Sequence, residues 1–332
     1  MSSSRTAGAL LRAPDAQTAP AGPQLFLPEM IGLDYVETEP ELTVLFYGIG
    51  QDSTAIAYKL VYDAAFRKRY APHRLLVIAS DTGCEHDFTY AYLEHMKRFF
   101  RLHGIEFHFL TPDLGWHSQA WQSLDGQWER NRTVGLKAGV KSCSHQLKVV
   151  PAYRFLDAWV ARTYDLPFKN KEALKRFAAR RGRIRSIIGL AKGEEHRVEN
   201  PASVKEKWRQ VAISTVYPLI EIGYDRRACQ EYIRSLGQPV PWPSNCMKCM
   251  FTSELELLWL YRRHPLVFAD WARQEQAKLA KFAHKGEKNF TVWGRKTLGE
   301  VLSDAQMKYG HWTDAMLDEY KMSHGHCINT RY

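Results

Sequence analysis

No stretch of this 332-residue chain approaches the roughly 18 uninterrupted apolar residues of a membrane span, so no membrane partner is expected. The N-terminus also lacks the compact apolar core of a secretory signal, and a cytoplasmic location is expected. Residues 1–24, rich in Ala, Ser, Pro and Gly, read as a disordered lead. They are too poor in Arg to favour a transit peptide. Cysteine is scarce: six residues do not make a disulfide framework, and the close pair Cys246 and Cys249 suggests a metal or redox site instead. There is no internal repeat. Acidic residues are in deficit, 36 against 46 Lys and Arg, for a net charge of +10. That balance favours anionic partners, nucleotide or nucleic acid, although many basic soluble proteins bind neither.

What is present suits a globular enzyme-sized fold. An apolar content of 45% allows a sizeable core, in one large domain or in one domain with an appendage. Residues 42–48 and 74–80 read as buried strands and 105–110 as a third. Helical patterns follow at 52–66 and 87–103, the second ending at Gly104. Residues 111–142 are irregular, with Trp116, Trp121 and Trp128 more in keeping with core than with base stacking. A helix is expected at 149–163, a strand at 185–190, a short apolar piece at 218–222 and a helix at 226–236. Beyond Cys249 the chain reads as largely helical to about residue 276. Strands alternating with helices predict an α/β fold: a mostly parallel twisted sheet flanked by helices, with a helical C-terminal extension. The expected organisation is a lead over 1–24, a nucleotide-binding domain over 25–250, and a helical extension and tail over 251–332.

The most informative segment is Phe46-Tyr47-Gly48-Ile49-Gly50-Gln51-Asp52-Ser53-Thr54-Ala55, which joins a strand to a helix. Glycines there allow close backbone approach to an anion, and helix N-terminal amides favour phosphate. The same residues also suit an ordinary turn capped by Asp52 or Ser53. No Gly-Lys-Ser/Thr follows, which excludes a Walker A loop.

Further segments stand downstream in order. They are Asp81-Thr82-Gly83-Cys84-Glu85-His86, then Cys143 through Lys148 to Pro151. Ile188-Gly189-Leu190 with Glu194-Glu195-His196-Arg197 comes next. Tyr217-Pro218-Leu219 and Cys246-Met247-Lys248-Cys249-Met250-Phe251 close the series. Together with the loop, these resemble the PP-loop ATP pyrophosphatase superfamily, and within it the PAPS (phosphoadenylyl-sulfate) reductase-like family. The resemblance covers about residues 42–275. It departs from the family pattern Ser-Gly-Gly-x-Asp-Ser at Gly48 and Ile49, so one phosphate-binding hydroxyl is missing.

The resemblance implies a Rossmann-like PP-loop fold whose nucleotide lies over the sheet edge. Gly48, Ile49, Gly50, Gln51, Asp52 and Ser53 would hold the phosphates of ATP, or of PAPS or adenylyl-sulfate. Asp81, Thr82, Gly189 and Glu195 would complete the cofactor site. Asp52, Ser53, Lys148 and Arg197 would be catalytic, the two cations neutralising developing phosphate charge. Solvated surface cations are the lesser alternative for Lys148 and Arg197. Asp52 could help hold Mg²⁺ or merely cap the helix, and Glu195 could pair with Arg197 or a nearby lysine. Cys143, Cys246 and Cys249 could hold a [4Fe–4S] cluster, as in sulfur-inserting relatives; zinc, or no metal at all, are the milder alternatives. Cys229 and Cys84 suit packing. Cys327, preceded by two histidines, stands where true PAPS reductases carry a nucleophilic cysteine, without their surrounding motif.

Residues 169–185 hold eight Lys or Arg against one acid, Glu172. Such a run is usually a solvated face, but it could track a nucleic-acid backbone beside Phe168, Phe177 or Trp208. The expected function is ATP-dependent adenylation with release of pyrophosphate, serving sulfur transfer to DNA or tRNA with a cysteine desulfurase or other donor as partner. The alternatives are a thiol-dependent reductase of adenylyl-sulfate or PAPS, and a non-catalytic nucleotide- and nucleic-acid-binding module of a defence or phage system.

Overall fold

The central strands of the sheet are rich in apolar residues and covered on both faces, as parallel strands require. A computed structural model describes residues 39–139 and 142–324. The lead over 1–24 and Cys327 lie outside the described residues. β1 (Leu42–Phe46) is followed by α1 (Gln51–Tyr62) and α2 (Ala64–Tyr70). β2 (Arg74–Ser80), α3 (Asp87–Leu102), β3 (Glu106–Leu110) and α4 (Leu124–Asn131) come next, then α5 (Val150–Thr163) and α6 (Glu172–Arg181). β4 (Ile184–Ile188), α7 (Lys207–Ala212), β5 (Ile213–Val216), α8 (Pro218–Glu221) and α9 (Arg226–Ser235) complete the sheet region. The C-terminal part holds α10 (Glu254–Arg263), α11 (Pro265–Lys281), α12 (Leu298–Tyr309) and α13 (Asp314–His324). No helix among the described residues is long and apolar enough to cross a membrane.

The five strands are all parallel, in the order β3-β2-β1-β4-β5. The chain winds outward from β1 to β3, then returns to lay β4 on the other side of β1. That reversal opens a crevice beyond the carboxyl ends of β1 and β4, where ligands bind in such sheets. Side chains alternate across β1: Leu42 and Val44 join a core with α5 and α6, whereas Leu45 joins one with α1, α3 and α9. A third core unites Cys84, Leu124, Trp128 and Leu147 with α10–α13, so the C-terminal helices share their interior with loops that follow β2 and β3.

Several boundaries differ from the sequence reading for local reasons. The helix expected over 52–66 is two helices, because Asp63 turns extended and its carboxylate accepts the Phe66 N–H at 2.9 Å to start α2. The apolar piece at 218–222 is one helical turn opened by Pro218. β5 and α6 were not anticipated, β5 because its four residues, Ile-Ser-Thr-Val, carry too few apolar positions. Helix continues well past residue 276, through α12 and α13, each with clear N-terminal chemistry in Thr297 and Asp314.

Candidate active site

A cavity of about 320 Å³ occupies the crevice. Gly48, Ile49, Gly50, Gln51, Asp52 and Ser53 form one wall. Thr82, Lys148, Gly189 and Arg197 face it from the ends of other elements, and Cys143, Cys246 and Cys249 line it too. Asp81 and Glu195 do not. The Asp81 carboxylate accepts the Gly83 N–H at 2.9 Å and the Tyr90 hydroxyl at 2.8 Å. Glu195 accepts the Gly193 N–H at 2.9 Å. Asp81 thus ties its turn to α3, and Glu195 braces its own turn.

The loop after β1 is shaped by three backbone requirements. Gly48 N–H donates to Ser53 Oγ at 3.2 Å, and the Ser53 hydroxyl donates to the Gly50 carbonyl at 3.2 Å. Gly50 is the N-cap of α1 and supplies no capping side chain, which leaves first-turn amides for an anion. Ile49 sits at φ 60°, unusual for a β-branched residue. Its side chain is buried in the α1–α3 core, and that burial offsets the backbone cost. Gln51 serves the fold more than a ligand: its amide nitrogen donates to the carbonyls of Pro241 at 3.0 Å and Met322 at 3.1 Å.

Charge is arranged in linked pairs. Asp52 Oδ2 lies 3.4 Å from the Arg226 guanidinium, which lies 3.3 Å from Glu194 Oε1. Arg197 holds the same Glu194 oxygen at 2.7 Å. The acid beside Arg197 is therefore Glu194 and not Glu195, which corrects the pairing read from the sequence. Asp52 Oδ1 is buried with no hydrogen-bond partner. Burial pushes the Asp52 carboxyl up to about 6; Arg226 opposes that rise and Glu194 adds to it. Arg226 was missed because only its place at the start of a helix was legible.

Lys148 pairs with Glu85 at 3.3 Å, and Glu85 also accepts the Thr82 hydroxyl at 3.0 Å. A π turn over His145–Val149 carries Lys148. Pro151, in the first turn of α5, has no N–H for the Leu147 carbonyl four residues back. The Ser80 hydroxyl donates to that carbonyl instead, at 2.7 Å. The end of β2 thereby fixes the turn that presents the lysine; such turns are frequent at functional sites.

Cys143, Cys246 and Cys249 all reach the cavity. Cys246 Sγ donates to Thr82 Oγ1 at 3.4 Å, and Met247 N–H donates to the Cys84 carbonyl at 2.8 Å. Burial pushes the Cys246 thiol well up, with Glu85 and Cys84 adding and Lys148 opposing. Burial also raises Cys84, to about 12. Soft thiol donors are the right chemistry for iron or zinc, yet among the described residues no three or more His, Cys, Asp or Glu are grouped to hold a metal ion. Cys229 is core, in α9.

The basic run is largely tied down. Lys175 and Arg176 pair with Glu172, and Arg181 with Glu41. Arg185 donates to the Arg69 carbonyl at 2.8 Å. Phe177 is fully buried and Trp208 packs against the same core, which leaves Phe168 as the exposed ring of the three proposed for stacking. Trp116, Trp121 and Trp128 contribute to cores. No protein-family model matches the chain, and no curated protein matches it.

Proposed function

We propose that the protein is an ATP-dependent enzyme of the PP-loop, PAPS reductase-like kind that adenylates an acceptor and releases pyrophosphate. The observation that carries this reading is the uncapped start of α1 at the topological switch point, with Lys148, Arg197 and Arg226 on the walls of the same cavity. The acceptor's nucleophilic atom would attack the α-phosphorus as the bond to the bridging oxygen of the β-phosphate breaks, and pyrophosphate would carry away that bond's electrons. The cations face the groups on which negative charge grows. A nucleic-acid acceptor fits the net charge of +10, and sulfur transfer to it is the finer proposal suggested by the thiols in the cavity wall.

Asp52 suits Mg²⁺, a hard cation that takes oxygen ligands, because its buried Oδ1 has no partner. Bound there, the ion would neutralise polyphosphate charge. Asp52→Ala is expected to reduce pyrophosphate release by about 100-fold or more, in the range of one lost electrostatic contact to the transition state. Unchanged turnover would refute the assignment. A protonated Asp52 is neutral and a poor ligand, and its carboxyl titrates at about 6. Binding of the metal at concentrations below saturation should therefore strengthen as pH rises through about 6 and level off above it, and a profile flat across pH 5–7 would count against Asp52.

Metal analysis of protein purified without oxygen separates adenylation from sulfur transfer. Cluster-based transfer predicts about four irons and four sulfides per chain, lost in Cys246→Ala. Protein with neither iron nor sulfide would restrict the reading to adenylation.

A further inference from the structure

We propose that Arg226 holds the place of the metal ion in the nucleotide-free protein and exchanges it for the polyphosphate when metal and nucleotide arrive. This rests on the reading of the cavity as a nucleotide site. Three observations place the exchange at one carboxylate. The Arg226 contact to Asp52 Oδ2 is long, at 3.4 Å, while Oδ1 of the same group is buried and unpartnered. Arg226 Nε is likewise buried without a partner. Glu194 Oε1 receives two guanidinium groups, from Arg197 at 2.7 Å and from Arg226 at 3.3 Å.

Arg226 is thus held by two stretched bonds, with a donor to spare, and Asp52 has an acceptor to spare. Arg226 and Asp52 both line the cavity, as does Arg197. A polyphosphate offers a guanidinium stronger, bidentate partners than one edge of a shared carboxylate. Withdrawal of Arg226 would release both Asp52 oxygens to a hard cation. Until then the arginine supplies the positive charge that keeps the buried Asp52 from standing alone, which would be costly. The nucleotide-free site is in this way nearly neutral, and it discriminates against metal without nucleotide.

The test uses Mn²⁺ alone, as a paramagnetic substitute for Mg²⁺, titrated into the nucleotide-free full-length protein and followed by electron paramagnetic resonance. Arg226→Gln should bind Mn²⁺ about tenfold or more tightly than the unmodified protein, within the usual range of coupling between sites. Adding Asp52→Asn to it should remove that gain. The same Arg226→Gln protein should bind the non-hydrolysable analogue of ATP more weakly. Mn²⁺ affinity that is unchanged or reduced in Arg226→Gln would overturn the proposal. If Arg226→Gln fails to fold, Arg226→Lys keeps the charge but loses the fork that spans Asp52 and Glu194. Its Mn²⁺ affinity should rise in the same direction by a smaller factor, and no rise would overturn the proposal equally. An unmodified protein that binds no ATP analogue at all would instead refute the nucleotide reading on which this rests.

Discussion

Gly189→Ala should leave a folded protein that has lost nucleotide binding. A Cβ at this position would stand 2.9 Å from the Ser53 nitrogen and 3.1 Å from its Cα, with the Asp52 carbonyl carbon at 3.3 Å. All three are backbone atoms at the start of α1, so no side chain can rotate out of the way. The helix start must shift away from β4, and its first amides move with it. Overpacking of this kind costs about 1–3 kcal/mol of stability, which a chain of this size survives. Binding suffers more, because a displacement of about 1 Å in a positioned contact can cost about 100-fold. Calorimetric titration with ATP beside a chemical denaturation curve reads both quantities. Gly299→Ala, in α12 and away from the cavity, is the control: nothing lies within 4 Å of its Cβ. Affinity retained in Gly189→Ala, or lost equally in both variants, would show that the start of α1 does not hold the ligand.

Lys321→Met should destabilise the protein by about 3–5 kcal/mol, the cost of leaving a buried charge without its partner. Lys321, in α13, is 1% exposed, and its ammonium donates to Glu256 Oε1 at 3.0 Å and to Asn245 Oδ1 at 2.9 Å. Glu256 is itself buried in α10, where it also closes the capping box with Ser253. Removing only the lysine strands the carboxylate. Removing both charges, as in Lys321→Met with Glu256→Gln, should recover much of the loss, since Gln can still accept from the Ser253 N–H that Glu256 now holds at 2.9 Å. Urea denaturation of the two single variants and the double variant measures the coupling. A loss in the double variant equal to the sum of the two single losses would mean that the pair is not coupled. Asn245 adjoins Cys246, so the single variant also loosens the thiol wall of the cavity.

The sheet was legible in the sequence because its inner strands are dominated by apolar residues, and the loop after β1 because glycines and an Asp-Ser pair follow one of them. The exceptions have physical causes. β5 lies at the sheet edge and carries Ser214 and Thr215, so its pattern is weak. Arg226 reaches Asp52 only through the fold, from 174 residues away, as Glu194 reaches Arg226, and spacing cannot reveal such contacts. Glu195 was chosen over Glu194 because adjacent acids are indistinguishable until the 3₁₀ turn at Glu195–Arg197 points Glu194 toward the arginines. Asp81 was assigned to the cofactor from its neighbours in the motif, whereas its carboxylate is held by Gly83 and Tyr90.

The Gln51 side chain gives the site an order of assembly. Its amide nitrogen bonds the Met322 carbonyl, 271 residues further along the chain, and its amide oxygen accepts from Gln230, which donates to the same Met322 carbonyl. The first residue of α1 is among the earliest parts of the sheet region to be made during synthesis, and its last partner is among the latest described residues. The ribosome must therefore deliver residues as far as Met322 before the loop after β1 is fully fastened. A nascent polypeptide stalled before α13 would own a complete parallel sheet and an unfinished ligand site.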